Sequence, residues 1–209
     1  MRSFFDEVDN STLVIFRVMW GLIMAWECYT FIRHDYNKLK VYYLLSNFYP
    51  KYWGFFWVHA WPGDGMFYHV WVMLFASFGV TLGMVYHLSC IVFFLGFLQL
   101  ILLDASLYLN HFHLIAIMAF ILIFLPANQR FSIDSLVFKS IYRSTMPRYV
   151  LYLLRFEQIV VYFFAGVAKL NEDWLRGEPI RHWLPGRALR SYNPESTFSY
   201  LLTVSQILL

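Results

Sequence analysis

Residues Tyr162 to Leu184 read YFFAGVAKLNEDWLRGEPIRHWL. An apolar run carries a lysine, Lys169, to its end, and charged and turn-forming residues follow at once. An ionisable group at the edge of so apolar a stretch is costly unless it has a task or an escape to water. At helical spacing Arg155, Gln158, Tyr162, Gly166 and Lys169 fall three or four residues apart and share one face. Phe156, Ile159, Val160, Phe163, Phe164 and Val167 fill the rest of the circumference. The pattern predicts a membrane-spanning helix that is apolar towards lipid and polar along one inward stripe. Ala165, Gly166 and Ala168 let a neighbouring helix approach closely where the lysine emerges. Two roles stay open for the amine: a snorkelling group that marks the helix end, or a working group supported by the polar stripe beneath it.

Outward from this stretch the chain keeps the composition of a membrane protein. Of its 209 residues 60% are hydrophobic and 22% aromatic, and only 14% are charged. The mean hydropathy is +0.53. Soluble domains carry about 25% charged residues. The net charge of +3 is too small and too scattered for a nucleic-acid partner. Met1 to Asn10 holds three acidic residues against one arginine, which is not the basic start of a cleavable leader, so the first span is expected to be retained. Apolar stretches run over Thr12–Ile32, Met66–Tyr86, Leu88–Leu103, Leu107–Leu125 and Tyr149–Leu170. A further run, Thr197–Leu209, has about 13 residues, too few to cross. The expected fold is an all-α polytopic bundle of about five complete spans and a truncated sixth. It forms one transmembrane domain over residues 1–209 that looks cut short at its C-terminus. Inside the first span Arg17 and Glu27 lie ten residues apart, about 15 Å along the axis. They cannot pair with each other, which predicts a bundle with a polar interior, and Glu157 is a candidate partner for Arg17.

Residues 33–65 are too aromatic for an ordinary loop. KYWGFFWVHAWPGDG (51–65) sets Trp53, Trp57, His59 and Trp61 beside phenylalanines before a Pro-Gly turn. Such a segment anchors in the interface or dips in as a re-entrant piece; the alternative is the lid of a pocket for a lipid-soluble substrate. Seven histidines invite a metal reading. However, His111 and His113 are two apart on a helix and diverge, and no HxxxH or HxxHH cluster occurs, so no metal is expected. Cys28 and Cys90 sit in apolar runs, outside any ligand-like pattern. Asn110-His111 stands near a helix start on the membrane side where Lys169 emerges. His111 can donate or accept a proton, and Asn110 can orient it or a substrate oxygen; the alternative is two polar residues solvating a helix end. No Gly-rich phosphate loop, Ser-His-Asp set or paired catalytic carboxylates stand out.

Several segments together resemble the vitamin K-dependent gamma-glutamyl carboxylases and their bacterial relatives, the HTTM-domain proteins. They are FRVMWGLIMAWE (16–27), LGMVYHLSCIVF (82–93), LLDASLYLNHFHL (102–114), FLPANQRFSID (124–134) and YFFAGVAKLNEDWLRGEP (162–179). The resemblance runs in order over nearly the whole chain, and KLNEDWLRGEP is similar to the bacterial branch in particular. It implies vitamin K hydroquinone as cofactor with O2 and CO2 as co-substrates, and a glutamate-containing peptide or protein as substrate, in a membrane-lipid setting. The lysine of the AGV-x-KL motif, Lys169 here, is then the base that deprotonates the hydroquinone. The oxygenated quinone takes a glutamyl γ proton, and the carbanion adds CO2. Asn110 and His111 match the family's Asn-His pair near the quinone chemistry, and Arg155 and Tyr162 beneath Lys169 become candidates for binding. A base role needs a neutral amine, which desolvation or a neighbouring cation such as Arg155 favours and Asp173 opposes. The large C-terminal portion that binds peptide in the carboxylases has no counterpart in the sequence. The rival reading is therefore a non-catalytic quinone- or lipid-binding scaffold or transporter component.

Counting five crossings, the N-terminus shares a side with the loop Ala127–Arg148, and residues 33–65 and everything after Lys169 share the other. That second side is richer in Lys and Arg, which by charge alone places it in the cytoplasm. The resemblance implies the opposite: an integral protein of a bacterial inner membrane or endoplasmic reticulum, with the Lys169 end facing periplasm or lumen. The resemblance is the better guide, because the charge rule weighs short flanking loops and buried or paired arginines do not count. Single cysteines replacing Lys139 and Glu178 should react with an impermeant thiol reagent from opposite sides of the membrane. Reaction of both from one side contradicts the span count.

Overall fold

Helix α1 (Ser11–Thr30) starts where Asp9 supplies a cap: its Oδ1 accepts the Ser11 N–H at 2.8 Å. These bonds to Ser11 hold the Asp9 carboxyl below its ordinary value. Asn10 beside it is buried and turns away, donating from Nδ2 to the Arg143 carbonyl at 2.7 Å. The structure is a computed structural model and describes residues 4–35, 50–105 and 110–176. It divides into two units, residues 1–150 and 151–209.

In the first unit a π-helical turn, Phe31–Asp35, extends α1. Helices α2 (Gly65–Leu82), α3 (Tyr86–Leu103) and α4 (Asn110–Phe124) follow, and each packs on its predecessor. The turn between α2 and α3 falls at Gly83–Val85, not around His87, which lies inside α3. Gly83 ends α2 with φ +61°, and the amides of Gly83 and Met84 return to the carbonyls of Val80 and Gly79. Only glycine fits there: a Cβ would stand 2.4 Å from Ser132 Cβ and 2.7 Å from Arg17 Nη1. Gly21 serves a different end, the close approach of α1 to α2, where a Cβ would meet Thr81 Oγ1 at 2.4 Å. The hydroxyls on that face are satisfied within the helix, Thr81 Oγ1 on the Ser77 carbonyl and Ser77 Oγ on that of Leu74. Trp20 packs edge-on against Phe93 at 5.1 Å, joining α1 to α3 across the interior.

The loop after α4 is built, not loose. It holds the short helix α5 (Ile133–Val137), a 3-10 turn Lys139–Ile141, and a strand, β2 (Thr145–Pro147). Strand β1 (Glu7–Asp9) pairs with β2 antiparallel, Val8 opposite Met146, which puts the N-terminus and this loop on one side as the span count expects. Arg17 is fully buried, at 0% exposure. The sequence offers Glu157 as its partner; its guanidinium instead donates to the backbone carbonyls of Ala127, Arg130 and Phe131. A planar fork with five donors and no acceptor suits a ring of carbonyls as well as a carboxylate. Asp134 in turn caps α3 from 48 or 49 residues away, accepting the Val85 and Tyr86 amides at 2.7 and 3.0 Å and Asn128 Nδ2 at 3.0 Å. Tyr86 Oη and His87 Nδ1 reach the carbonyls of Leu122 and Ile123, closing the same end on α4.

In the second unit helix α6 (Tyr149–Ala168), whose first two residues belong to the first unit, is followed by the short helix α7 (Glu172–Leu175). Among the described residues four helices are long and apolar enough to cross a membrane: Ser11–Arg33, Gly65–Leu82, Tyr86–Leu103 and Tyr149–Ala168. The chain is thus an all-α integral membrane bundle. The remaining expected span, from Leu107, is seen as the 15-residue α4. Its first residues and the run Thr197–Leu209 lie outside the described residues.

Burial raises the Asp134 carboxyl, but the Tyr86 amide, the Asn128 side chain and the Val85 amide outweigh it and hold the group below its ordinary 3.8. A folded-state value depressed in this way contributes stability that is present above pH 3.8 and is lost as pH falls through the folded value. Asp134→Ala should cost about 1 kcal/mol, the worth of a helix cap. Thermal unfolding in detergent should show the gap between wild type and variant at pH 7 and its closure as pH is taken below 3.8. An equal gap at both ends contradicts the capping role.

Candidate functional site

At the end of α1 away from Arg17, helices α1 to α4 splay around a cavity of about 580 Å³. Its walls follow from helical spacing. Met24, Cys28 and Phe31 repeat at four and three residues along α1, and Phe93, Phe97, Leu100 and Asp104 form the matching stripe on α3. Phe97 stacks almost parallel on Phe93 at 6.0 Å and meets Phe112 edge-on at 5.7 Å, so one wall is a continuous aromatic surface. Polar groups enter from four places: Glu27 on α1, Asp104 at the end of α3, His111 and His113 on α4, and Tyr52. Among the described residues no lysine or arginine lines it.

Tyr52 belongs to the aromatic segment 51–65, whose described form is two successive turns, the Phe55 and Val58 amides bonding to the carbonyls of Tyr52 and Phe55. Trp53 is 91% exposed, and Phe56, Trp57 and Trp61 are also exposed. The segment is tied to the end of α3 by the Ala105 amide, which bonds to the Pro50 carbonyl at 2.8 Å, and is braced within itself by Lys51 Nζ on the Val58 carbonyl. Burial pushes the Lys51 ammonium below its ordinary value, while the Asp104 carboxylate pulls it up. Tyr52 thus faces the cavity from a tethered loop, and its hydroxyl is buried with no hydrogen-bond partner among the described residues. Near the same end Trp61 Nε1 donates to His69 Nδ1 at 3.3 Å. That leaves the His69 proton on Nε2, which donates to the Gly96 carbonyl at 3.0 Å.

Of the residues singled out in the sequence, His111 lines the cavity, packed edge-on to Phe112 at 4.9 Å, and Asn110 opens the same helix. Lys169, Arg155 and Tyr162 belong to the second unit. There the KLNEDW motif has a local explanation. Asn171 Nδ2 donates to the Ala168 carbonyl at the end of α6, and its Oδ1 accepts the Trp174 amide at the start of α7. One side chain fixes the corner, and the corner brings the Trp174 ring to 5.2 Å from Lys169 Nζ, a cation–π distance. Arg155 and Tyr162 are exposed, and Gln158 donates to Glu157 Oε2 at 2.9 Å. Sequence reasoning missed Tyr52, Asp104, Cys28 and His113 as cavity residues. The α3 stripe Phe93-Phe97-Leu100-Asp104 was the signal that could have found one wall. Among the described residues no three His, Cys, Asp or Glu side chains are placed to hold one metal ion.

The family model of the HTTM domain matches residues 5–207. No solved structure matches the chain.

Proposed function

The chain belongs to the HTTM-domain family of vitamin K-dependent carboxylase-related membrane proteins, and we propose that it is a carboxylase-like protein whose cavity receives a reduced quinone. The single observation that carries this is the cavity itself. Its volume of about 580 Å³ lies within the range of small-molecule sites, roughly 300 to 1,000 Å³. Its aromatic wall of Phe93, Phe97 and Phe112 suits a flat fused ring, and its polar groups suit ring oxygens. Among the described residues its lining holds no lysine or arginine, which disfavours an anionic occupant such as a glutamyl carboxylate.

When bound, a vitamin K hydroquinone supplies, on oxidation by O2, the driving force for removing a glutamyl γ proton before CO2 adds. The phenylalanine wall holds the ring and excludes water from it. The His111 imidazole donates or accepts a proton at the cavity's polar end. Lys169, on the second unit, remains the candidate base for the hydroquinone, a role that needs its amine neutral. Asn110, Arg155 and Tyr162 remain the candidates for binding, and the Lys169 end faces periplasm or lumen.

The Trp174 ring beside Lys169 favours a second reading, because a π face stabilises a lysine that stays charged. In that reading the protein is a quinone- or lipid-binding scaffold and Lys169 a fixed cation. The two readings separate on Lys169→Arg, since arginine keeps the charge but gives no neutral amine at any accessible pH. If Lys169 is the base, Lys169→Arg epoxidises the hydroquinone as poorly as Lys169→Ala while quinone binding is largely kept. A well-folded Lys169→Arg protein with near wild-type epoxidation establishes the scaffold reading instead.

A further inference from the structure

The polar groups of the cavity are not equivalent. Asp104 is already opposed by Lys51 on the tethered loop. Glu27, by contrast, lines the cavity with its carboxylate unengaged by any hydrogen bond or ion pair among the described residues. It sits on the cavity face of α1, one residue before Cys28 and four before Phe31, both of which also line the wall. A carboxylate offers acceptors and no donor. A ring hydroxyl can donate to it; a ring carbonyl, itself only an acceptor, cannot, and faces it with like polarity. The orphaned Tyr52 hydroxyl in the same lining is the second group awaiting a partner, and it can serve an oxygen of either kind.

We propose that Glu27 makes this cavity selective for the reduced, hydroxyl-bearing form of an aromatic ring over its oxidised, carbonyl form. The inference rests on the quinone reading above and names the residue that chooses the redox state of the occupant. In consequence the ring is retained while it can still react and loses its hold once both oxygens have become carbonyls. No residue of the chain has to move for this, because the hydrogen-bonding character of the ligand reverses instead.

Binding to the purified chain in lipid nanodiscs, under anaerobic conditions, tests this with two probes: 2-methyl-1,4-naphthalenediol and 2-methyl-1,4-naphthoquinone. Wild type should prefer the diol by roughly tenfold to a hundredfold, the worth of one hydrogen bond to a charged group. Glu27→Gln, whose amide both donates and accepts, should bring the two affinities within about threefold of each other. It should do so by weakening the diol and sparing or tightening the quinone. Glu27 is exposed, so an unfolding midpoint equal to that of wild type certifies the variant as folded. Equal binding of both probes by wild type overturns the role of Glu27 and leaves the quinone cavity standing. A wild-type preference that survives intact in Glu27→Gln does the same. Failure of both probes to bind wild type overturns the cavity reading and the role of Glu27 together.

Discussion

A guanidinium with no exposed surface, a third of the way along a membrane-spanning helix, sets the terms for the first unit. Taking such an ion out of water costs several kcal/mol even after relaxation, and a lipid environment returns none of it. Arg17 recovers the loss from the carbonyls of Ala127, Arg130 and Phe131, and those carbonyls point at it only if the loop after α4 is folded back over the start of α1. The demand of one side chain therefore shapes a whole loop. Once folded, that loop has Asp134 in place to cap α3, and Gly83 must be glycine because Arg17 and Ser132 occupy the space a side chain would need. The pairing of β1 with β2 fastens the chain's N-terminal residues and the start of α6 to the same assembly.

The first unit is consequently polarised. One end is cross-linked by hydrogen bonds among α1, the α2–α3 turn, α4 and the loop. At the other end the helices enclose the cavity between aromatic side chains, with Tyr52 reaching it from a segment tied at Pro50. Separation along the helix axis keeps the exposed Glu27 carboxylate and the Tyr52 hydroxyl at the cavity end, away from the clamped one. At the clamped end the same groups would cost stability with no return. The exposed Trp53 and Trp57 of the segment that carries Tyr52 belong to the residue type that settles at the headgroup level.

Much of this fold is legible in the sequence because apolar length and helical period are local properties. The helix starting at Ser11, the hairpin of two spans and the long helix from Tyr149 follow from them directly, and the shared side of the N-terminus and the loop follows from counting crossings. The partner of Arg17 does not follow. Sequence reading looks for a carboxylate, and here the acceptors are backbone carbonyls whose direction depends on the tertiary fold. The α2–α3 turn is displaced from His87 to Gly83–Val85 for a related reason: the cap that starts α3 is Asp134, 48 residues further on. Of the cavity's polar residues, His111 stands out in the sequence by its place beside Asn110 near a helix start, and Tyr52 and Asp104 do not. A stripe of phenylalanines reads as core until the facing helices are seen to stand apart.

The central claim is that the cavity among α1 to α4 is where the ring binds. Photo-cross-linking with a diazirine-bearing naphthalenediol in native lipid, followed by peptide mapping, addresses it directly. The account predicts adducts concentrated on cavity residues such as Met24, Phe97 and His111, and displaced by excess unmodified diol. Adducts confined to the lipid-facing surface, for instance Phe75 or Phe124, and undiminished by competitor contradict it.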